Sequence, residues 1–113
     1  MKIYHNPRCS KSRETLNLIK QKTNNYEIID YLNEPLGFDD YKIILEKMGV
    51  KPIYLVRIKE TIWKEKYKGR EMSDDDIINA LVDNPMLMKR PIVTTNKQAI
   101  IGRPPQNVLN LFS

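Results

Sequence analysis

With 113 residues, 41% hydrophobic and 29% charged, the chain is long enough for one real core and has the balance of a folded protein rather than a disordered one. Its 19 basic and 14 acidic residues leave a scattered net charge of +5, which suits an anionic ligand as well as nucleic acid. A lone cysteine excludes an internal disulfide, no apolar run approaches membrane-spanning length, and the start lacks the basic-then-apolar layout of a signal peptide. The expectation is therefore a cytoplasmic protein with one free thiol and no membrane partner.

No repeat, low-complexity tract or linker interrupts the chain, so a single domain over 1–113 is expected. Lys2–His5 reads as a short strand, ended by the turn signal Asn6-Pro7. A helix is expected from Ser10 to about Lys22, with Leu16 and Ile19 on its buried face and Leu18 beside them; Asn24-Asn25 breaks it. Tyr26–Leu32 is rich in β formers and is expected as a second strand, parallel to the first. "FDDYKIILEKMG" places Phe38, Tyr41, Ile44, Leu45 and Met48 at helical spacing before a Gly49 stop. Lys51–Arg70 is basic and reads as broken helix. "SDDDIINALVDNP" offers Ser73 as N-cap with Asp76 in capping-box position, acidic residues at the positive end of the dipole, and Pro85 as terminator. "RPIVTT" and "QAIIG" are strand-like around a tight turn at Asn96-Lys97, and "PPQNVLNLF" reads as a short helix with Pro104 or Pro105 in its first turn. The order β-α-β, helical insertion (about 38–85), β-β-α is an α/β, thioredoxin-like plan.

Cys9 falls where the first strand ends and the first helix begins. There the N–H groups of Ser10, Lys11, Ser12 and Arg13 lack intrahelical acceptors and favour negative charge, so a thiolate is expected. Arg8, Lys11 and Arg13 are expected to push the same way, and an oxyanion could sit beside the sulfur. The alternative, a buried structural cysteine, fits poorly with this polar and basic setting. Spacing narrows the chemistry. A dithiol enzyme needs a second cysteine where Ser12 stands, and a Cys-x5-Arg phosphatase loop needs arginine where Thr15 stands. One Cys and one His cannot build a structural zinc site, so no metal is expected. What remains is a monothiol regenerated from outside. His5 either assists the thiolate or is a strand-end histidine satisfied by backbone. Ser12 either donates to the sulfur or caps the helix, the capping role being favoured.

Arg57, Arg90 and Arg103 follow apolar or strand-like runs at "YLVR", "LMKRPIV" and "IIGRPP". Two precede proline, which confines their backbone, and an Arg-Pro bond entering a strand opposite the active helix is a place to expect a cis peptide. A guanidinium fork suits a tetrahedral oxyanion better than a lysine, although most arginines of a basic chain are simply solvated.

"IYHNPRCSKSRETL", "YLVR", "NPMLMKRPIV" and "IGRPPQNVL" together resemble, in order and spacing, the glutaredoxin-dependent arsenate reductase (ArsC-like) family, whose pattern begins His-Asn-Pro-x-Cys. The resemblance covers nearly the whole chain and implies a thioredoxin-like fold with a helical insertion. It implies that Cys9 attacks arsenate, that His5 and Ser12 assist the thiolate, and that Arg57, Arg90 and Arg103 bind the oxyanion. No bound cofactor is implied; glutathione and glutaredoxin serve as external reductants and partners, in a chain expected to act as a monomer. The chain stops at Ser113 without the C-terminal extension of longer members, so a shorter branch is expected. The competing class is the Spx-type transcription regulators, which share the fold and an Arg-Pro-Ile-like motif and bind RNA polymerase. Their Cys-x-x-Cys switch is absent from "CSKS", and they lack the His-Asn-Pro lead. Direct nucleic-acid binding is not expected, since no aromatic platform or recognition helix accompanies the basic charge.

Overall fold

Four short runs of β-branched and aromatic residues pair into one sheet. In the computed structural model, which describes residues 1–112, strands β1 (Lys2–His5), β2 (Glu27–Asp30), β3 (Ile92–Thr94) and β4 (Ala99–Ile101) lie in the order β2-β1-β3-β4. The β1/β2 pair is parallel, with Ile3 opposite Ile28 and His5 opposite Asp30. Both β1/β3 and β3/β4 are antiparallel, with Ile3 opposite Val93 and Val93 opposite Ile100. A parallel β1/β2 pair requires a crossover, and helix α1 (Ser10–Lys22) supplies it. This is the thioredoxin-like α/β arrangement.

The second strand is shorter than its composition suggests. Asp30 accepts backbone N–H bonds from Asn33 and Glu34 through its carbonyl and from Leu32 through its carboxylate, so the chain turns at Tyr31. An Asp that satisfies the backbone ahead of it competes with the ladder and stops it.

The residues divide into two compact units, Met1–Glu34 with the chain from Arg90 onward, and Pro35–Lys89. In the first, Ile3, Leu16, Ile19, Val93 and Val108 form a buried cluster, flanked by Leu18, Tyr26, Ile100, Leu111 and Phe112. Val108 comes from the closing 3-10 helix, Pro105–Phe112, which has Pro105 in its first position. Each fully buried Ile or Val contributes roughly 1.5–3 kcal/mol through area removed from water, so α1 is held to the sheet chiefly by this cluster.

The second unit is helical. Helix α2 (Phe38–Met48) buries Tyr41, Ile44 and Leu45 and ends on Gly49 in the left-handed region, at φ 71°. Lys51–Arg70 is broken helix: a 3-10 turn at Pro52–Leu55 and the short α3 (Thr61–Lys66). Helix α4 (Asp74–Asp83) starts with a capping box, in which Ser73 Oγ accepts from the Asp76 N–H (3.1 Å) and Asp76 Oδ2 accepts from the Ser73 N–H (3.0 Å). Among the described residues no helix is long and apolar enough to cross a membrane.

Candidate active site

The loop between β1 and α1 is built to hold its shape. The Cys9 N–H donates to the Asn6 carbonyl (3.0 Å), the Arg8 N–H to Asn6 Oδ1 (3.0 Å), and the Arg13 N–H back to the Cys9 carbonyl (3.0 Å). Arg13 also donates from its guanidinium to the Pro7 carbonyl (2.9 Å). Cys9 is therefore the N-cap residue of α1, with extended backbone at φ −93° and ψ 122°. No side chain closes a conventional cap hydrogen bond at this helix end. The Ser12 and Lys11 amides of this open helix end act on the sulfur instead, favouring its anion.

Two opposed effects set the thiol. Burial pushes the Cys9 pKa up; the Ser12 amide, the hydrogen bond and charge of Arg90, and the Lys11 amide push it down, and together they win. Cys9 thus titrates below its ordinary value, the direction that favours a thiolate. The origin of the positive field differs from the sequence expectation. Lys11 contributes its backbone while its ammonium pairs with Glu14 at 3.5 Å, and Arg8 and Arg13, both exposed, are not among the groups that lower the thiol. Charges on exposed helix-start side chains are screened by water, whereas Arg90 arrives from the other end of the chain and acts from within.

Ser12 is fully buried and does not cap the helix, contrary to the favoured expectation. It stands three residues past the N-cap, so its hydroxyl reaches back over the loop. Ser12 Oγ accepts the Asn6 N–H (3.0 Å) and lies 2.7 Å from Nδ1 of His5. Ser12 Oγ thus ties the Asn6 backbone to the His5 ring, and which partner donates in the His5–Ser12 bond follows the imidazole tautomer. His5 is buried, and that burial lowers its pKa below the ordinary 6.5; Asp30 across the β1/β2 pair opposes this, while Arg13 and Lys20 add to it. His5 therefore acts on the loop through Ser12, whose amide faces the sulfur.

The arginines separate. Arg90 reaches the sulfur, and its Nε, fully buried, has no hydrogen-bond partner. A buried N–H donor without an acceptor is costly, and an incoming oxyanion is a fitting acceptor for it. Arg103 is exposed; its carbonyl accepts from Asn107 Nδ2 (3.1 Å), and it is not among the groups that act on Cys9. Arg57 belongs to the second unit, where it pairs with Glu60 at 2.6 Å and donates to the Met86 carbonyl at 3.1 Å. Both Arg90-Pro91 and Arg103-Pro104 are cis, where a cis bond was expected at an Arg-Pro entering a strand. Among the described residues no cluster of three His, Cys, Asp or Glu side chains could hold a metal ion.

The fold thus brings together the cysteine of "HNPRC" at the start of α1 and the arginine of "RPIV" leading into β3, two of the stretches that carry the sequence resemblance. The ArsC family model matches residues 4–111. The chain belongs to the ArsC family. Among its relatives, the uncharacterized protein YfgD of Escherichia coli (strain K12) is 46% identical over 113 residues, covering 98% of this chain and 95% of that protein. The arsenate reductase of Neisseria meningitidis (serogroup A strain Z2491) is 36% identical over 110 residues, covering 96% and 94%. Among solved structures, the arsenate reductase from Vibrio cholerae superposes with a TM-score of 0.91 at 39% identity, covering 97% of both chains.

Sequence reasoning passed over two residues of this ArsC site. Thr15 is fully buried and donates from Oγ1 to the Gly102 carbonyl (3.2 Å), and Gly102 is the glycine that lets the strand approach it. A signal for the first was present. Ser12, Thr15, Leu16 and Ile19 occupy the i, i+3, i+4, i+7 stripe, and all four are buried, so two hydroxyl residues lie on the core face of α1. Hydroxyls on a core stripe must find partners, and both do so at the site.

Proposed function

We propose that this chain is a monothiol arsenate reductase of the cytoplasm that uses glutathione and glutaredoxin. The observation that carries the reading is the pairing of a thiolate-favouring helix start with the buried, unpartnered Nε of Arg90. Family membership and the similarity to proteins named arsenate reductase support the substrate.

In the proposed reaction the Cys9 thiolate attacks arsenic, and one arsenate oxygen leaves as hydroxide and is protonated to water. Arg90 holds an oxyanion edge through its Nε–H, with Arg57 and Arg103 proposed as further grips. A glutathione thiolate then attacks the Cys9 sulfur. The S–As bond breaks with its electron pair on arsenic, which departs as arsenite, and the two sulfurs are left as a mixed disulfide. Glutaredoxin takes glutathione from Cys9 by thiol–disulfide exchange and restores the thiolate. The two electrons gained by arsenic thus come from two thiols, Cys9 and glutathione. His5 and Ser12 keep the loop in the shape that exposes the helix amides to sulfur.

The test is arsenite production from arsenate with glutathione and glutaredoxin, by wild type and Cys9→Ser. Turnover by wild type and none by Cys9→Ser is expected. Equal turnover by both removes Cys9 from the mechanism. Absence of turnover by a folded wild type whose thiol is reactive redirects the chemistry to another oxidised substrate.

A further inference from the structure

Cys9 and Arg90 are eighty-one positions apart, and the pairing that favours the thiolate requires the fold to hold them together. The backbone hydrogen bonds of the Cys9 loop return to the loop itself or to α1, and its Ser12 hydroxyl reaches only Asn6 and His5. Besides the β1/β3 ladder, a second connection runs lower on the helix. Thr15 Oγ1 donates to the Gly102 carbonyl at 3.2 Å, and the Gly102 N–H donates to the Pro91 carbonyl at 2.9 Å. Pro91 directly follows Arg90. A closed circuit therefore passes from Cys9 down α1 to Thr15, across to Gly102, on to Pro91, and back through Arg90 to the sulfur.

The circuit is tight and dry. Thr15 is fully buried, and Gly102 and Pro91 are buried as well. A Cβ at position 102 would stand 2.7 Å from Thr15 Oγ1, 2.9 Å from Thr15 Cγ2 and 3.0 Å from the Pro91 ring, so the three residues interlock in contact that leaves no slack. Thr15 lies six positions along the helix from Cys9, a rigid spacer of about 9 Å. Gly102 also precedes Arg103, so the same contact fixes the backbone from which the second Arg-Pro segment departs.

We propose that Thr15 is a positioning residue, whose buried hydroxyl clamps the two Arg-Pro segments to α1 and thereby sets Arg90 against Cys9. It touches neither substrate nor sulfur; it acts through Arg90. The proposal rests on Cys9 as the working thiol and is independent of which substrate that thiol attacks. Valine at position 15 keeps the shape and loses the donor, which leaves the Gly102 carbonyl without its side-chain bond. Serine keeps the donor and loses only a methyl.

The experiment measures Cys9 alkylation by iodoacetamide against pH in wild type, Thr15→Val and Thr15→Ser, each checked for fold by circular dichroism, and repeats Thr15→Val in an Arg90→Met background. Because the readout is the thiol itself, it stands even if arsenate is not the substrate. The midpoint should move upward in Thr15→Val, with alkylation at neutral pH severalfold slower, and should return toward wild type in Thr15→Ser. In Arg90→Met the same valine should produce no further change, since a residue that acts through Arg90 has nothing left to act on. Val108→Ala, which destabilises the same unit by a cavity while keeping every hydrogen bond of this circuit, should leave the midpoint unmoved. A wild-type profile in Thr15→Val, a full additional shift in the Arg90→Met background, or an equal shift in Val108→Ala would each overturn the proposal. Should Thr15→Val not fold, Thr15→Ala takes its place in both backgrounds with the same expectations.

Discussion

Replacing Arg90 by lysine keeps the charge and removes the fork, and the structure states what that costs. The guanidinium serves the site in two ways: it hydrogen-bonds and attracts the Cys9 sulfur, and it keeps a buried Nε–H free of any partner. A lysine has a single nitrogen at the end of a flexible stem, so it cannot serve both positions at once. If its ammonium stays with the sulfur, the oxyanion loses one charge-assisted hydrogen bond, about 1.5–3 kcal/mol, or roughly tenfold to a hundredfold in kcat/KM. In the proposed reaction negative charge grows on the arsenic oxygens as the sulfur adds, so much of the loss should fall on kcat. The assay is steady-state arsenite formation with glutathione and glutaredoxin saturating, run beside the alkylation profile of Cys9. Lysine should disturb the thiol profile less than methionine at the same position, since the charge remains. A value of kcat/KM within about twofold of wild type would refute the reasoning, because a bond worth that little is not the oxyanion grip.

Gly102→Ala should destabilise the chain by about 1–3 kcal/mol, the usual cost of overpacking, because the new methyl meets Thr15 and the Pro91 ring at 2.7–3.0 Å and neither neighbour can swing aside. A urea melt coinciding with wild type would show that this contact gives way freely. Ser73→Ala removes the side-chain acceptor of the α4 capping box and should cost about 1 kcal/mol while leaving Cys9 alkylation unchanged; an undiminished melting temperature would count against the cap. His5 has a lowered pKa in the fold, so the unfolded chain binds the proton more readily and stability rises with pH in that interval. The contribution is present above the unfolded value near 6.5 and is lost as pH falls through the folded one. Urea melts between neutral and mildly acidic pH should show this slope in wild type and a flatter one in His5→Gln; parallel slopes would remove the histidine from the account.

Much of the local structure was legible because its causes are local. The run from Ser10 to Lys22 is a helix by periodicity, Gly49 stops α2 because glycine accepts a left-handed backbone, and Ser73 with Asp76 announces a capping box. The exposure of Cys9 to helix amides follows from its place one residue before the helix. Strand β2 was read too long because its β-forming composition continues to Leu32, while the Asp30 turn that ends it involves hydrogen bonds that composition does not encode.

The site was legible in its parts and illegible in its pairings. From spacing alone Arg8, Lys11 and Arg13 were the charges nearest the thiol, and Arg90 and Arg103 were equivalent. The fold makes Arg90 the charge that acts on Cys9 and leaves Arg103 exposed, because strand order brings β3, with Arg90 just ahead of it, beside β1. Ser12 read as a cap and became a tie to His5, and Thr15, which served only to exclude a phosphatase loop, bonds to Gly102 eighty-seven positions away. The sequence by itself determined where a thiolate could form, since an N-cap position and its amides are set by a few consecutive residues. Only the tertiary structure decided which arginine meets it, because that choice depends on strand pairing and on a glycine whose missing side chain lets two distant segments touch.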